Sequence, residues 1–291
     1  MGVYGFYNYT KQFQKPVDYT NTSIQYRIGI DALSLLYKYH GDISKIFECL
    51  KPILNHKLLF VFDGKAPESK LNEIEKRKKS NSVIQEKIEN FKNWLKSDIC
   101  EETKDMFRKQ IKELEYESWI MSYEVRNEFK DYLISKNYSF IKSIQEADAV
   151  LIDLYYSNYI DIVLSSDMDF LVAGIDYLIV PVKECLKEIL LEDILNEEEI
   201  NKEQLKEVAI LCGIDSLRIT VIDDVSHSIQ LIRHYGSIES IINHDVIGIS
   251  LPYETYISDI KQRFYPNRTE PLKNVKLEHK IYLEPFKPKQ S

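Results

Sequence analysis

Six carboxylates stand where short apolar runs end or helical runs begin. Asp31 closes YRIGI, Asp63 closes KLLFVF, Asp167 and Asp169 follow IDIVLSS, and Glu146 with Asp148 open QEADAVLIDLYY. If the apolar runs are strands of an open α/β sheet, their carboxyl ends border one ligand crevice. Acids gathered there would repel one another and take up protons unless cations stood between them. Hard oxygen donors suit Mg²⁺ or Mn²⁺, which keep several waters and bridge carboxylates to substrate phosphates. Two such ions about 4 Å apart activate a water and stabilise the departing oxygen in phosphodiester cleavage. Singly, each acid has a plainer reading: Asp63 before Gly64 as a turn residue, Asp148 as a first-turn helix acid, Asp167 as a helix cap. Their joint placement is what points to metal-assisted hydrolysis.

The elements that must position these acids follow from periodicity. Strand-length apolar runs recur at Tyr26 to Ile30, Lys57 to Phe62, Ser139 to Ile141, Ile160 to Leu164 and Tyr177 to Val182, with helical patterns between most of them. Strands apolar on both faces, alternating with helices, imply an α/β fold with a mostly parallel central sheet flanked by helices. After Asp63 roughly 70 residues carry no strand pattern. Ile84, Ile88, Phe91 and Leu95, then Phe107, Ile111, Leu114, Met121 and Val125, read as two long helices, an inserted hairpin. Three short helical patterns follow Asn201. Five of the nine prolines lie at Pro252 and beyond, so the last stretch is expected to be irregular. The expected organisation is a nuclease-type domain over residues 1–245, with the helical insertion at 64–137 and a helical region at 201–245, and a C-terminal extension over 246–291.

Composition narrows the class. The 291-residue chain is 44% hydrophobic, 12% aromatic and 29% charged, which excludes a disordered, fibrous or collagen-like polypeptide. No run of roughly 18 uncharged apolar residues offers a membrane span, and the N-terminus carries no secretory pattern. An intracellular, soluble protein is expected. Cys49, Cys100, Cys185 and Cys212 lie too far apart for a zinc motif and suggest reduced, mostly buried thiols. The six histidines form no metal-protease motif, and no nucleophile elbow accompanies them. A net charge of −8 disfavours a uniformly nucleic-acid-binding surface. Its distribution is uneven, however. From Lys65 to Lys79 six basic residues (Lys65, Lys70, Lys76, Arg77, Lys78, Lys79) face three acidic ones, and from Lys261 to Ser291 eight face three. A chain with basic bands and clustered carboxylates can hold phosphates and metal cations at different places.

At these residues the sequence resembles the flap endonuclease (XPG-type) structure-specific 5′ nucleases, from MGVYGF to about Ile242. The matching pieces are IGIDALSLLY, FVFDGKAPESKLNEIEKRKK, IQEADAVL, SSDMDFL and LCGIDS, in the family's order and at its approximate spacing. The resemblance implies a PIN-like fold, two Mg²⁺ ions with Mn²⁺ as a substitute, and branched or 5′-ended DNA as the partner, with RNA as an alternative. Asp31, Asp63, Glu146 and Asp148 would surround one ion, and Asp167, Asp169 and Asp215 the other. Lys70 and Arg77 match basic residues that meet the scissile phosphate, where their charge would act in the transition state. Tyr37 matches an aromatic on which an unpaired base stacks; a helix-face core role is the plainer reading. Gly2 matches an N-terminal glycine near the active site, and Lys65, Lys76, Lys78 and Lys79 extend the basic band toward nucleic acid. The hairpin after Arg77 would be an arch over the site, through which a 5′ strand passes.

The sequence also departs from that family. Asp148 stands where the family usually has Glu. Downstream of Asp215 the glycine-rich helix-hairpin-helix turn, which holds duplex phosphates, is replaced by RITVIDDVSHSIQLI, with Asp223 and Asp224 in place of phosphate-binding backbone. Substrate preference is therefore open among flapped DNA, RNA and simple 5′ ends, with a non-catalytic scaffold of the same fold as the third class. No sliding-clamp signature is seen, a monomer is expected, and the expected location is the nucleus or another site of DNA replication or repair.

Overall fold

The computed structural model describes residues 3–19, 23–65, 71–97, 99–144, 146–213, 222, 224–244, 246 and 275–276. The chain opens with α1 (Phe6–Thr10) and a two-residue strand, β1 (Lys15–Pro16). The first central strand, β2 (Arg27–Asp31), leads into α2 (Ala32–Lys38) and α3 (Ile43–Leu50), and β3 (Lys57–Phe62) follows. Three helices come next, α4 (Leu71–Trp94), α5 (Glu101–Glu117) and α6 (Tyr123–Ser135). Then β4 (Ser139–Ser143), α7 (Ala147–Tyr156), β5 (Ile162–Leu164), α8 (Asp169–Val172) and the hairpin β6 (Tyr177–Val182) with β7 (Cys185–Leu190) complete the sheet region. Helices α9 (Leu191–Glu197), α10 (Lys202–Cys212), α11 (Val225–Tyr235) and α12 (Ile238–Asn243) close the body, and β8 (Val275–Lys276) adds a short edge strand.

The sheet order is β1-β7-β6-β5-β2-β3-β4-β8. Strands β6, β5, β2, β3 and β4 run parallel, while β1, β7 and β8 pair antiparallel at the edges. The chain steps outward from β2 to β3 and β4, then crosses back to place β5 on the other flank of β2. This reversal puts a topological switch point at the carboxyl ends of β2 and β5, the usual ligand position in such sheets.

Alternation along the strands splits the core into two layers. Leu58, Phe60 and Phe62 pack with Leu35, Ile46, Phe129 and Leu133 of α2, α3 and α6 on one face. Leu59 and Val61 turn to the other face, against Val150 and Leu154 of α7 and the helices that follow it. The mostly parallel α/β sheet expected from the apolar runs is thus present.

Two features depart from expectation. The insertion holds three helices, because Ser118 to Ser122 interrupts the pattern and the Ser122 side chain caps α6 by accepting from Val125 N. Phe129 and Leu133 then bury α6 in the sheet core, so only α4 and α5 form the projecting hairpin. The β6–β7 hairpin turns on Lys183 and Glu184, with Lys183 at φ 53°, and carries none of the Asn-Gly chemistry that marks such turns in a sequence. Of the four cysteines, Cys49 and Cys212 are buried and Cys100 and Cys185 exposed. Among the described residues no helix is long and apolar enough to cross a membrane.

Candidate active site

Register sets the site. Asp31 of β2 is paired with Val61 of β3, and Ile30 with Leu164 of β5, so Asp31 stands level with Ser165 at the end of β5. Asp63 lies two residues beyond Val61 on the same edge of the sheet. Both acids therefore stand at the carboxyl ends of adjacent parallel strands.

Asp31 is buried and does two jobs. Its Oδ1 caps α2 by accepting from Ser34 N at 3.0 Å, and its Oδ2 accepts from the Ser165 hydroxyl at 2.9 Å. Burial, and after it the negative charge of Asp63, push the Asp31 carboxyl up to about 6, against the opposing pull of the Ser34 and Ser165 hydrogen bonds. Ser165 is fully buried and also accepts from Asp167 N at 3.1 Å, so one hydroxyl joins Asp31 to the Asp167 loop. Asp167 Oδ1 in turn accepts from Asp169 N at 3.0 Å, which sets the turn into α8. Beside them the Ser34 and Ser166 hydroxyls lie 2.5 Å apart, and Ser166 N donates to Ser34 Oγ at 3.0 Å.

Asp63 is held from the other side. Its Oδ1 accepts from Ala147 N, the amide between Glu146 and Asp148 at the start of α7. Its carbonyl accepts from Arg126 Nη2 of α6 at 3.1 Å, and Lys65 N donates to the Ile144 carbonyl at 3.0 Å. The loops after β3 and β4 thus run side by side. They pass so closely that a Cβ at Gly64 would overlap the carbonyl oxygens of Ser143 and Ile144, which explains glycine after Asp63. Glu146 occupies the cap position of α7 and Asp148 its first turn, both half-buried.

The sequence-expected residues therefore divide. Asp31, Asp63, Glu146, Asp148, Asp167 and Asp169 all lie at the carboxyl edge of β2 to β5, linked through Ser165 and Ala147. Among the described residues no set of three or more carboxylate, imidazole or thiolate side chains is arranged to hold a single ion. Gly2, Lys70, Asp215 and Asp223 lie outside the described residues, and Arg77 lies on α4 with its side chain outside them. Lys65, Lys76, Lys78 and Lys79 are exposed, Lys79 within 3.5 Å of Glu75. Tyr37 projects from α2, half-exposed, its ring nearly perpendicular to that of Trp119.

Sequence reasoning passed over Ser34, Ser165, Ser166 and Arg126. The serines had a signal: Ser34 sits three residues after the capping Asp31, and Ser165 and Ser166 directly precede Asp167. Arg126 had none, because its role depends on how α6 crosses the Asp63 turn.

The donor set suits a hard divalent cation. Its carboxylates are hard oxygen donors, and Asp31 is raised in pKa by burial and then by the Asp63 charge, a conflict that a bound cation relieves.

Fold and site together define a PIN-like α/β architecture with its acids at the sheet's carboxyl edge. Residues 137–215 match the XPG I-region. Flap endonuclease 1 of Entamoeba dispar is 25% identical over 234 residues, covering 78% of this chain and 57% of that protein. Flap endonuclease 1 of Sulfolobus acidocaldarius is 29% identical over 211 residues, covering 66% of this chain and 56% of that one. The chain thus spans a little over half the length of these curated relatives. The fold matches the catalytic core of Rad2 in complex with DNA substrate at a TM-score of 0.58 and 17% identity, over 90% of this chain and 80% of that one. The likeness to the XPG-type flap endonucleases, in divergent form, is thereby shown.

Proposed function

We propose that this protein is a metal-dependent 5′ nuclease that cleaves phosphodiester bonds in branched or 5′-flap DNA. The observation that carries the reading is the pair Asp31 and Asp63 at the carboxyl ends of adjacent parallel strands, where burial and then the Asp63 charge raise the Asp31 pKa, with Asp167 joined to Asp31 through the Ser165 hydroxyl. The names of the relatives, flap endonucleases, support the same class.

Asp31, Asp63, Glu146 and Asp148 would hold one Mg²⁺, and Asp167, Asp169 and Asp215 a second, Mn²⁺ substituting. Such ions supply an activated water and charge stabilisation of the leaving oxygen. The chain's own part is orientation. Ser165 fixes the Asp31 rotamer, and the start of α7 and Arg126 fix the Asp63 turn. Lys70 and Arg77 add positive charge for the scissile phosphate as negative charge builds on it. Lys65, Lys76, Lys78 and Lys79 attract the strand along α4, Gly2 belongs to the same strand-binding set, and Tyr37 receives an unpaired base. The organisation we propose is a nuclease domain over 1–245 whose arch lies within 64–137, followed by the 246–291 extension, acting as a monomer at intracellular sites of DNA replication or repair.

One observation favours a second reading, RNA or a simple 5′ end as substrate. The start of α11 is capped by the Asp224 carboxylate, which accepts from Ser226 N at 2.8 Å and puts negative charge where a duplex phosphate would be held. A panel of 5′-labelled flap DNA, blunt duplex and single-stranded RNA, incubated with Mg²⁺, separates the readings. Flap cleavage at the junction supports the first, turnover of RNA alone supports the second, and no cleavage of any strand contradicts both.

A further inference from the structure

Arg27 and Arg126 are both drawn into the body of the protein, and they differ in what their donors meet. Arg27, buried at the start of β2, spends its guanidinium on Asp161: Nε donates to Oδ2 at 3.0 Å and Nη2 to Oδ1 at 2.6 Å, while Nη1 donates to the Asn158 carbonyl at 2.6 Å. Every nitrogen is used, as in a structural ion pair. Arg126, half-buried near the start of α6, makes one side-chain hydrogen bond, from Nη2 to the Asp63 carbonyl at 3.1 Å. Its Nε is enclosed by protein and has no acceptor. Among the described residues no carboxylate lies within ion-pair distance of this guanidinium. Asp63 itself turns Oδ1 to Ala147 N, so Arg126 holds the backbone of that acid and leaves its charge unpaired with its own.

A cation withdrawn from water without a counter-ion is costly, and an anion placed beside it removes the cost. The unspent edge of a planar guanidinium matches two oxygens of a phosphate. The neighbours carry the same sign. One helical turn on, the Lys130 ammonium lies over the Phe62 ring, 5.2 Å from its centroid, and Phe62 directly precedes Asp63. Lys142 of β4 is level with Phe62 in the parallel register. Positive charge from α6 and β4 thus lines the end of β3, apart from the basic band on α4. These cations stand beside a turn whose acid belongs to the candidate active site, so the anion that fits them is one that reaches that site.

We propose that Arg126 binds a phosphodiester of the nucleic-acid strand, next to the one held at the acids, while Nη2 stays on the Asp63 carbonyl. The proposal rests on the nuclease reading and adds to it a contact that spacing along the chain does not show. One side chain then ties the strand to the Asp63 turn, so that binding of the strand and placement of the acid support each other.

The test pairs the side chain with single phosphates. Labelled 5′-flap DNA is made with one uncharged methylphosphonate at each position around the junction in turn. Each strand is assayed for binding by anisotropy in EDTA and for single-turnover cleavage in Mg²⁺, with the native protein and with Arg126→Gln. For the native protein, one position should weaken binding about tenfold more than its neighbours, and Arg126→Gln should lose about as much on the unmodified strand while being indifferent to that position. The salt dependence of binding should fall by about one released counterion in Arg126→Gln. Arg126→Lys keeps the charge without the fork, so it should keep the salt slope and lose most of the affinity, and it carries the comparison if Arg126→Gln fails to fold. Equal sensitivity of native and variant proteins at every position, with the unmodified flap still cut, overturns the phosphate contact and leaves the nuclease reading standing. No binding and no cleavage of the unmodified flap by the native protein overturns both.

Discussion

The Ser165 hydroxyl donates to Asp31 Oδ2 at 2.9 Å while accepting the Asp167 amide at 3.1 Å. A single buried hydroxyl thus couples the acid at the end of β2 to the acid loop after β5. Replacing it with Ser165→Ala leaves a buried carboxylate oxygen short of a donor, at a cost of about 1–3 kcal/mol. The loss should appear in urea unfolding, together with a further rise in the Asp31 pKa and weaker divalent-metal binding. Unchanged unfolding and metal affinity would contradict the coupling.

Asp31→Asn should abolish cleavage yet stabilise the metal-free protein at neutral pH. The folded-state pKa of Asp31 is raised to about 6 by burial and by Asp63. Its contribution to stability is therefore complete below the unfolded value and is lost as pH climbs through about 6. At 1.36 kcal/mol per pH unit the penalty removed at pH 7–8 is on the order of 3 kcal/mol. Thermal melts in EDTA should show the variant several degrees above the native protein at pH 7.5, with the gap closing toward pH 4. A gap that persists at pH 4 would mean that the effect is not electrostatic.

Gly64→Ala should destabilise by about 1–3 kcal/mol and slow cleavage, because the new methyl meets the Ser143 and Ile144 carbonyls and must push the Asp63 loop off the β4 loop. Denaturant melts and single-turnover rates check this together. Native-like values for both would show that the loops do not pack as described.

Arg77→Ala and Lys70→Ala should each lower kcat by about 10²-fold or more with little change in DNA binding if their charge meets the transition state. A change confined to KM would assign them to ground-state binding instead.

The carboxylate edge was legible in the sequence because Asp31, Asp63, Asp167 and Asp169 follow apolar strand runs, Glu146 and Asp148 open the helix after another, and parallel strands end together. Lys57–Phe62 and Tyr177–Val182 fell on their predicted bounds for the same reason. The β6–β7 hairpin was hidden because a Lys-Glu turn carries no glycine or asparagine signal. The helix α6 was merged with its predecessor because Met121 and Val125 continue the apolar spacing across a break made by Ser118 to Ser122. The hold of Arg126 on the Asp63 carbonyl was illegible because it arises where α6 crosses the turn after β3, which spacing along one helix does not encode.

The central claim is that these acids hold divalent cations. It is tested most directly by calorimetric titration of metal-free protein with Mn²⁺, compared with the double variant Asp31→Asn, Asp63→Asn and with Asp167→Asn. The account predicts two ions per native chain, loss of one class of site in the double variant, and loss of the other in Asp167→Asn. Identical stoichiometry and affinity in all three proteins would contradict it.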